Sequence, residues 1–373
     1  MSITVKVKEV LQPVRGPGKL KKSNYQKSGS FPVIDQGNNV IAGFTDQEEL
    51  LIRAPLPLIV FGDHTRALKL VKEPFVRGAD GTQLIYPKPT MANPIFFYYA
   101  LKNLNLSNYH YARHFKFLKE EEIELPTLDD QLKIAEVLEA YDNFIENNFK
   151  RIRKLEAMAR LLYRHYFEIS ESKDWKELPL SELLVVHRGK SYKSTELSDS
   201  SGLPFVNLKC VNRGGGFRKD GLKLFTGSYK DSHSVKKGDL VMAVTDMTQE
   251  RLIVARAARV PSLEGGSGVI SMDMVKLDPK EGYESDYLYS MFRWSGFANE
   301  VKNHANGANV LHLLPARITN YKLNVPPRPL RSEFAGKVSP VLDLIDALER
   351  KNESLSRARD LLLPRLMSGE IKL

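Results

Sequence analysis

The sequence predicts a mixed α/β chain in which two similar globules are separated by two long helices that pair as an antiparallel coiled coil. Three observations carry this. The chain repeats itself: Leu125-Pro126 recurs as Val325-Pro326, 200 positions on, and the forty residues after each site align without a gap. Each copy of that stretch shows a heptad pattern. Each is preceded by short β-branched runs followed by one apolar helix. A repeat this long is a duplicated domain, because solenoid units run to about 50 residues at most. The expected divisions are a first globule over 1–121, a central helix over 122–168, a second globule over 169–322 and a C-terminal helix over 323–373.

The first globule contains FPVID, LPLIVFG, ALKLV and TQLIYP, all short, β-branched and bounded by Gly, Pro or Asp, then NPIFFYYALKNL as a helix. The central helix runs from Pro126 to Phe167. Leu138, Ile145, Ile152, Ala159 and Tyr166 recur every seven residues; Ile134, Tyr141, Asn148, Leu155 and Leu162 do so at an offset, giving an a/d seam. Asp129 and Asp130 fall in the first turn, where the helix dipole favours acids. The second globule offers LPFVNLKCV, DLVMAVTD, RLIVARAARV and DMVKLDP as strands, then SDYLYSMFRWSGFANEVKNH as one helix. The C-terminal helix, Pro326 to Met367, carries Val338, Ile345, Asn352, Arg359 and Leu366 with Val341, Leu348, Leu355 and Leu362.

Each seam holds one Asn. In an antiparallel pair, a layers face d layers. Setting Asn148 opposite Asn352 brings Leu155 to Ile345, Ile152 to Leu348, Ile145 to Leu355, Leu138 to Leu362 and Ile134 to Leu366. Only Tyr141 opposite Arg359 is not apolar on both sides. An unmatched Asn in a dry seam is costly, whereas a matched pair sets register. Forty helical residues make a rod of roughly 60 Å. B-DNA advances about 34 Å per turn, so such a rod could space two globules one to two turns apart. Val137, Phe144 and Phe149 are left as an outer apolar stripe suited to partner helices.

Composition points to a polyanionic partner. The 373 residues carry a formal net charge of +10, and the excess is clustered: Lys6 to Lys27 holds seven Lys/Arg against Glu9 alone. Such a field attracts nucleic acid. No run approaches a membrane span and the start has no apolar signal-peptide core, so a cytoplasmic setting is expected, with no membrane partner. A lone cysteine, Cys210, excludes a disulfide framework or a Cys-based zinc site. The histidines show no metal-ligand spacing, and no metal site is expected.

Motifs for catalysis are weak. Asn93-Pro94-Ile95-Phe96 resembles the Asn-Pro-Pro-Phe motif of adenine methyltransferases, but no Gly-rich cofactor loop accompanies it; a helix start with Pro near its first position fits better. There is no P-loop. NRGGGFRKDG, Asn212 to Gly221, reads as a basic hairpin. Asp63 and Asp239, at strand ends, read as turn formers.

The stretch LPTLDDQLKIAEVLEAYDNFIE resembles the central conserved segment of the DNA-specificity subunit of type I restriction–modification enzymes. It keeps Leu125, Pro126, Leu128, Gln131, Ile134 and Ala135, with Thr127 in place of a second Pro. VKKGDLVMAVTD and GANVLHLLPARITNYKLNVPP resemble further segments of that family, whereas the second helix has Arg331 where the Gln would be. The resemblance implies two target-recognition domains, each reading half of a split, asymmetric double-stranded DNA sequence. It implies two methyltransferase subunits docked on the helices and restriction subunits attached to them. It assigns no catalytic residue and no cofactor to this chain: S-adenosylmethionine, ATP and magnesium would belong to the partners. The rival readings are a DNA-modifying enzyme in its own right, either an adenine methyltransferase or a nuclease, and a coiled-coil adaptor whose charge is incidental.

Arg and Lys pair with guanine edges, Asn and Gln with adenine, and Lys, Arg, Ser and Thr hold phosphate. By residue type and position in loops or at strand ends, the DNA-binding candidates in the first globule are Lys19, Lys21, Lys22, His64, Thr65, Arg66 and Arg77. In the second they are Lys190, Tyr192, Lys193, Arg213, Arg218, Lys219, Gln249 and Arg251.

Overall fold

A computed structural model describes residues 2–106, 113–169 and 175–373. The chain divides into two compact units, Met1–Asn147 with Lys351–Leu373, and Asn148–Arg350. Each unit therefore holds one globule and a segment of each long helix. The helices span Leu128–Phe167 and Arg328–Met367, forty residues apiece.

The two globules share one plan. In the first unit a four-stranded antiparallel sheet runs in the order Leu11–Gln12, Thr82–Pro87, Leu58–Gly62, Leu68–Val71. In the second the corresponding order is Leu184–Arg188, Met274–Pro279, Leu240–Ala243, Ala257–Arg259. A second sheet in each contains one parallel pair: Phe31–Ile34 with Phe75–Arg77, and Leu203–Val206 with Ser267–Ile270. The strand before each long helix pairs antiparallel with the strand that opens its globule, Glu122–Leu125 with Ile3–Lys6 and Lys322–Val325 with Lys176–Pro179. Leu58–Gly62 and Leu240–Ala243 are buried throughout, as continuous apolar runs should be.

Three second-globule expectations need correction. Of LPFVNLKCV only Leu203–Val206 is strand; Asn207 accepts the Lys209 amide and turns Leu208–Cys210 into a 3-10 turn. Of RLIVARAARV only Ala257–Arg259 is strand. The preceding residues form a tight turn, with Arg251 and Ala255 at positive φ (53° and 64°), because the carboxylate of Asp246 accepts the amides of Ile253 and Val254 and turns the chain. SDYLYSMFRWSGFANEVKNH is not one helix: Ser285–Trp294 ends at Ser295-Gly296 and Phe297–Val301 begins a new one. The Ser295 hydroxyl accepts the amide of Phe297 and so caps the restart.

The first long helix opens on a capping arrangement. The Thr127 hydroxyl donates to the Asp130 carboxylate (2.8 Å) and accepts the Asp130 amide (3.2 Å). Both units then use the two long helices as core walls. In the first, Ile134, Ala135 and Leu138 from one helix and Leu363 and Leu366 from the other bury with Phe96 and Phe97 of the globule. In the second, Ala159, Tyr163 and Tyr166 bury with Phe334, Val338 and Val341 and with Tyr287 of that globule. Helix contacts within each unit run antiparallel: Asn352 donates to the Ile145 carbonyl at 3.4 Å in the first, and the rings of Tyr166 and Phe334 meet at 5.7 Å in the second. The buried stripe is wider than an a/d seam, since Ala135 and Tyr163 lie outside it and are still buried. A helix that packs on a globule as well as on a partner needs the broader face. For the same reason Val137 is half-buried against the first core rather than on the outer face.

The layer that pattern alone left polar has an explanation. Arg359 is ion-paired with Asp142 of the first helix, and the Tyr99 hydroxyl of the globule donates to the same carboxylate at 2.7 Å.

Candidate nucleic-acid interface

In the first unit, Gln36 gathers three loops. Its Nε2 donates to the Asp80 carbonyl (3.0 Å), its Oε1 accepts the His64 amide (3.3 Å), and its own carbonyl accepts the Thr65 hydroxyl. These bonds hold the turn His64–Arg66, all exposed, with Arg66 at a φ of 62° and its guanidinium donating to the Leu106 carbonyl. Lys19 joins the same group through Asp80 at 3.7 Å. Arg77 braces the neighbouring turn from inside by donating Nε to the Thr82 carbonyl at 2.9 Å, and burial pushes its pKa down. Lys21 and Lys22 are exposed on a separate turn. Thus Lys19, His64, Thr65 and Arg66 are brought together, Arg77 is engaged internally, and Lys21 and Lys22 stand apart.

In the second unit two buried polar residues organise the loops. Asn207 accepts the Lys209 amide (2.9 Å) and donates to the carbonyls of Phe205 (3.2 Å) and Gly221 (2.9 Å), closing the 207–221 loop. Within it, Val211 bridges Phe217 antiparallel, and Gly215 and Gly216 take φ of 82° and 86°, which forms the basic hairpin expected there. Asp246 accepts the amide and hydroxyl of Thr248 and the amides of Ile253 and Val254. Burial pushes this carboxyl up, but those donors outweigh it and hold it below the ordinary range.

Between these two loops lies a cleft of about 400 Å³ lined by Arg213, Arg218, Asp220, Asp246, Met247 and Thr248, among others. Arg213 and Arg218 are thus brought to one site, with Arg218 paired to Asp220, which lowers that carboxyl's pKa. Lys219 begins the adjoining turn. Gln249 and Arg251 sit on the opposite wall's loop, where their side chains donate to the carbonyls of Ala308 (3.0 Å) and Ala305 (3.4 Å). Lys190 and Lys193 lie on another loop: the Lys190 backbone pairs with Ile270 and Met272, and the Lys193 amide donates to Glu196. Tyr192 packs its ring on Phe205 at 4.7 Å, a core role.

The organising residues Gln36, Asn207 and Asp246 and the exposed Met247 were not singled out from sequence. The available signal was their place just after a β-branched run, where Asn and Asp cap turns. Replacing Asp246 by Ala should strand the buried amide of Val254 and the half-buried amides of Thr248 and Ile253, at about 1–3 kcal/mol. Thermal unfolding and amide exchange across 248–254 would register it; unchanged protection there would show that the carboxylate does not hold the loop.

Residues 3–157 match the family model of the type I restriction modification DNA specificity domain. This part of the chain is similar to a type I restriction–modification specificity domain. The specificity subunits of two type I restriction enzymes of Methanocaldococcus jannaschii, MjaIX and MjaVIII, are 25% and 21% identical to this chain over 280 and 277 residues. Those alignments cover 68% and 69% of this chain, but only 62% and 64% of the relatives, less than two thirds of their length. The crystal structure of the type I restriction–modification S subunit from M. genitalium has the same fold, with a TM-score of 0.63 at 16% identity over 98% of this chain and 96% of that one. The family recognised from LPTLDDQLKIAEVLEAYDNFIE is therefore the one the comparisons find.

Within residues 3–157, Asn93 of the methyltransferase-like motif is a helix cap: its side chain accepts the amides of Ile95 and Phe96, with Pro94 at the first helical position. On the long helices Phe144, Phe149, Met158, Leu161, Leu344 and Leu361 are exposed. Two of these recur at equivalent repeat positions, Phe144 with Leu344 and Leu161 with Leu361. No helix among the described residues is long and apolar enough to cross a membrane.

Proposed function

We propose that this chain is the non-catalytic, sequence-specific DNA-recognition subunit of a type I restriction–modification complex. Each globule reads one half of a split, asymmetric double-stranded target. The long helices set the gap. The contacts of Asn352 with Ile145 and of Tyr166 with Phe334 support antiparallel pairing of the helix segments within each unit. The observation that carries the reading is the duplicated unit, a globule and helix matched by the family model in the first copy and repeated in the second, each with braced basic loops and a net charge of +10 for the whole. The two pairs of repeat-equivalent apolar side chains, Phe144/Leu344 and Leu161/Leu361, suit two copies of one partner, the methyltransferase subunits. Restriction subunits would join through them. S-adenosylmethionine, ATP and magnesium serve the partners, and the setting is cytoplasmic.

Co-purification with a methyltransferase subunit, followed by sequencing of methylated sites, tests this reading. A two-part adenine-methylated motif is expected. Methylation or cleavage by the lone chain would favour the enzyme reading instead. Among the candidates, Arg213 is best placed to read a base, being exposed on the cleft. Its Ala variant should lose ~1–3 kcal/mol on the cognate site alone. An equal loss on every sequence, with a shallower salt slope, would make it a phosphate contact.

A further inference from the structure

We infer that Gln131 and Arg331 are positioning residues that lock each long helix to the helix of its own globule, and so hold the readers in phase on the target. This rests on the DNA-recognition reading. The two residues occupy the same repeat position, in the second turn of each long helix, and both are almost wholly buried, at 1% and 5% exposure.

Gln131 uses both ends of its amide. Nε2 donates to the carbonyls of Pro126 (2.9 Å) and Met91 (3.0 Å), and Oε1 accepts the backbone amide of Asn93 (2.9 Å). Asn93 is the residue that caps the globule helix Pro94–Asn103. Arg331 reaches the equivalent points by different chemistry. Its Nε donates to the Pro326 carbonyl at 3.0 Å, and its Nη1 pairs with the Glu284 carboxylate at 3.3 Å. Glu284 is the cap residue of the globule helix Ser285–Trp294. The guanidinium also lies 4.4 Å from the Tyr283 ring centre and 5.6 Å from that of Tyr287. An arginine has no acceptor. It cannot take the amide of the cap residue as Gln131 does, so the cap residue must itself supply an acceptor, and Glu284 does. The departure of Arg331 from the family's Gln is thus one half of a compensated pair.

Such a joint matters because a helix is a lever. A tilt of about 10° at its root displaces a point forty residues along by about 10 Å. That is about three base pairs of B-DNA. A polar lock with fixed directions restrains tilt and rotation, whereas an apolar contact of the same size lets the helix roll.

The test uses the full chain. Half-sites are first selected with the wild type from a pool of random duplexes, and binding is then measured on duplexes in which the gap varies one base pair at a time. Wild type should lose about tenfold for a one-base-pair change of gap. Gln131→Leu and Arg331→Met should select the same half-sites but flatten that loss to about threefold or less. The double variant Arg331→Gln with Glu284→Asn rebuilds the first unit's lock in the second and should restore the wild-type gap profile. Gln131→Glu keeps the acceptor for Asn93 and loses both donors, and it should give an intermediate profile should Gln131→Leu not fold. Affinity that falls equally at every gap, an unaltered gap profile, or a double variant no better than Arg331→Met would each overturn the inference. A wild type that selects no two-part sequence would overturn the DNA-recognition reading itself, and this inference with it.

Discussion

Ending the chain after Arg350 is expected to unfold the first unit and spare the second. The residues removed are distant in sequence from the first globule, but they belong to its unit. Leu363 and Leu366 are buried in the core formed by Val7, Val10, Phe96, Phe97 and Leu138, and Leu362, Met367 and Ile371 cover its edge. Losing one such leucine side chain costs about 2–5 kcal/mol, and the segment removes several. The whole stability of a domain is about 5–15 kcal/mol. The cut also takes away Arg359, leaving the half-buried Asp142 carboxylate with the Tyr99 hydroxyl but without that cation. The second unit, Asn148–Arg350, keeps every residue. Limited proteolysis read by mass spectrometry should find early cuts within residues 2–147 and none within the 203–294 sheets and helix. Persistent protection of both globules would show that the C-terminal helix is not part of the first core.

The next largest effect is expected from Arg259→Met. This arginine leaves its strand with a guanidinium only 11% exposed and meets three carboxylates: Asp286 of the globule helix at 3.0 Å, and Asp346 and Asp343 of the second long helix at 2.8 and 3.1 Å. Burial pulls the guanidinium's pKa down, but the surrounding acids outweigh that and raise it. Burial pushes the Asp346 carboxyl above its ordinary value although Arg259 opposes the shift. Removing the arginine leaves buried like charges and should cost about 3–5 kcal/mol at neutral pH. The pH dependence has a definite sign. In the variant Arg259 no longer opposes the rise of Asp346, so its folded-state pKa climbs further above the unfolded value near 3.9. Between those two values the folded state binds more protons than the unfolded, and stability falls as pH rises. The variant should therefore recover part of its deficit as the pH drops towards 4. Denaturant unfolding at a series of pH values measures this, and a deficit independent of pH would mean that packing rather than charge is lost.

Much of this architecture was legible beforehand, for identifiable reasons. Helix and strand periodicities are local, so Leu128–Phe167, Arg328–Met367 and strands such as Leu58–Gly62 follow from spacing alone. The failures were also local in origin. RLIVARAARV has strand composition, but its first half is turned by a carboxylate on another segment, and composition does not register that. The tryptophan helix breaks at Ser295-Gly296, a pair that weakens helices and here caps a new one. Of the candidate contacts, Arg77 and Tyr192 have the right chemistry for DNA but are engaged inside the globules by Thr82 and Phe205. Residue type says what a side chain could bind, and only the backbone around it says what it does bind.

The sequence by itself determined the duplication, the two forty-residue helices, the central strands such as Leu58–Gly62 and Leu240–Ala243, and the family resemblance, because each is written in periodic or contiguous residues. Tertiary structure alone decided that the end of the second long helix completes the first unit, and that Gln36, Asn207 and Asp246 brace the loops. It also decided that Gln131 and Arg331 join helix to globule. The reason is physical. The helix end is held by apolar packing and the others by directional hydrogen bonds and an ion pair to groups up to 47 residues away, and the strength of each depends on distances that exist only once both segments have folded.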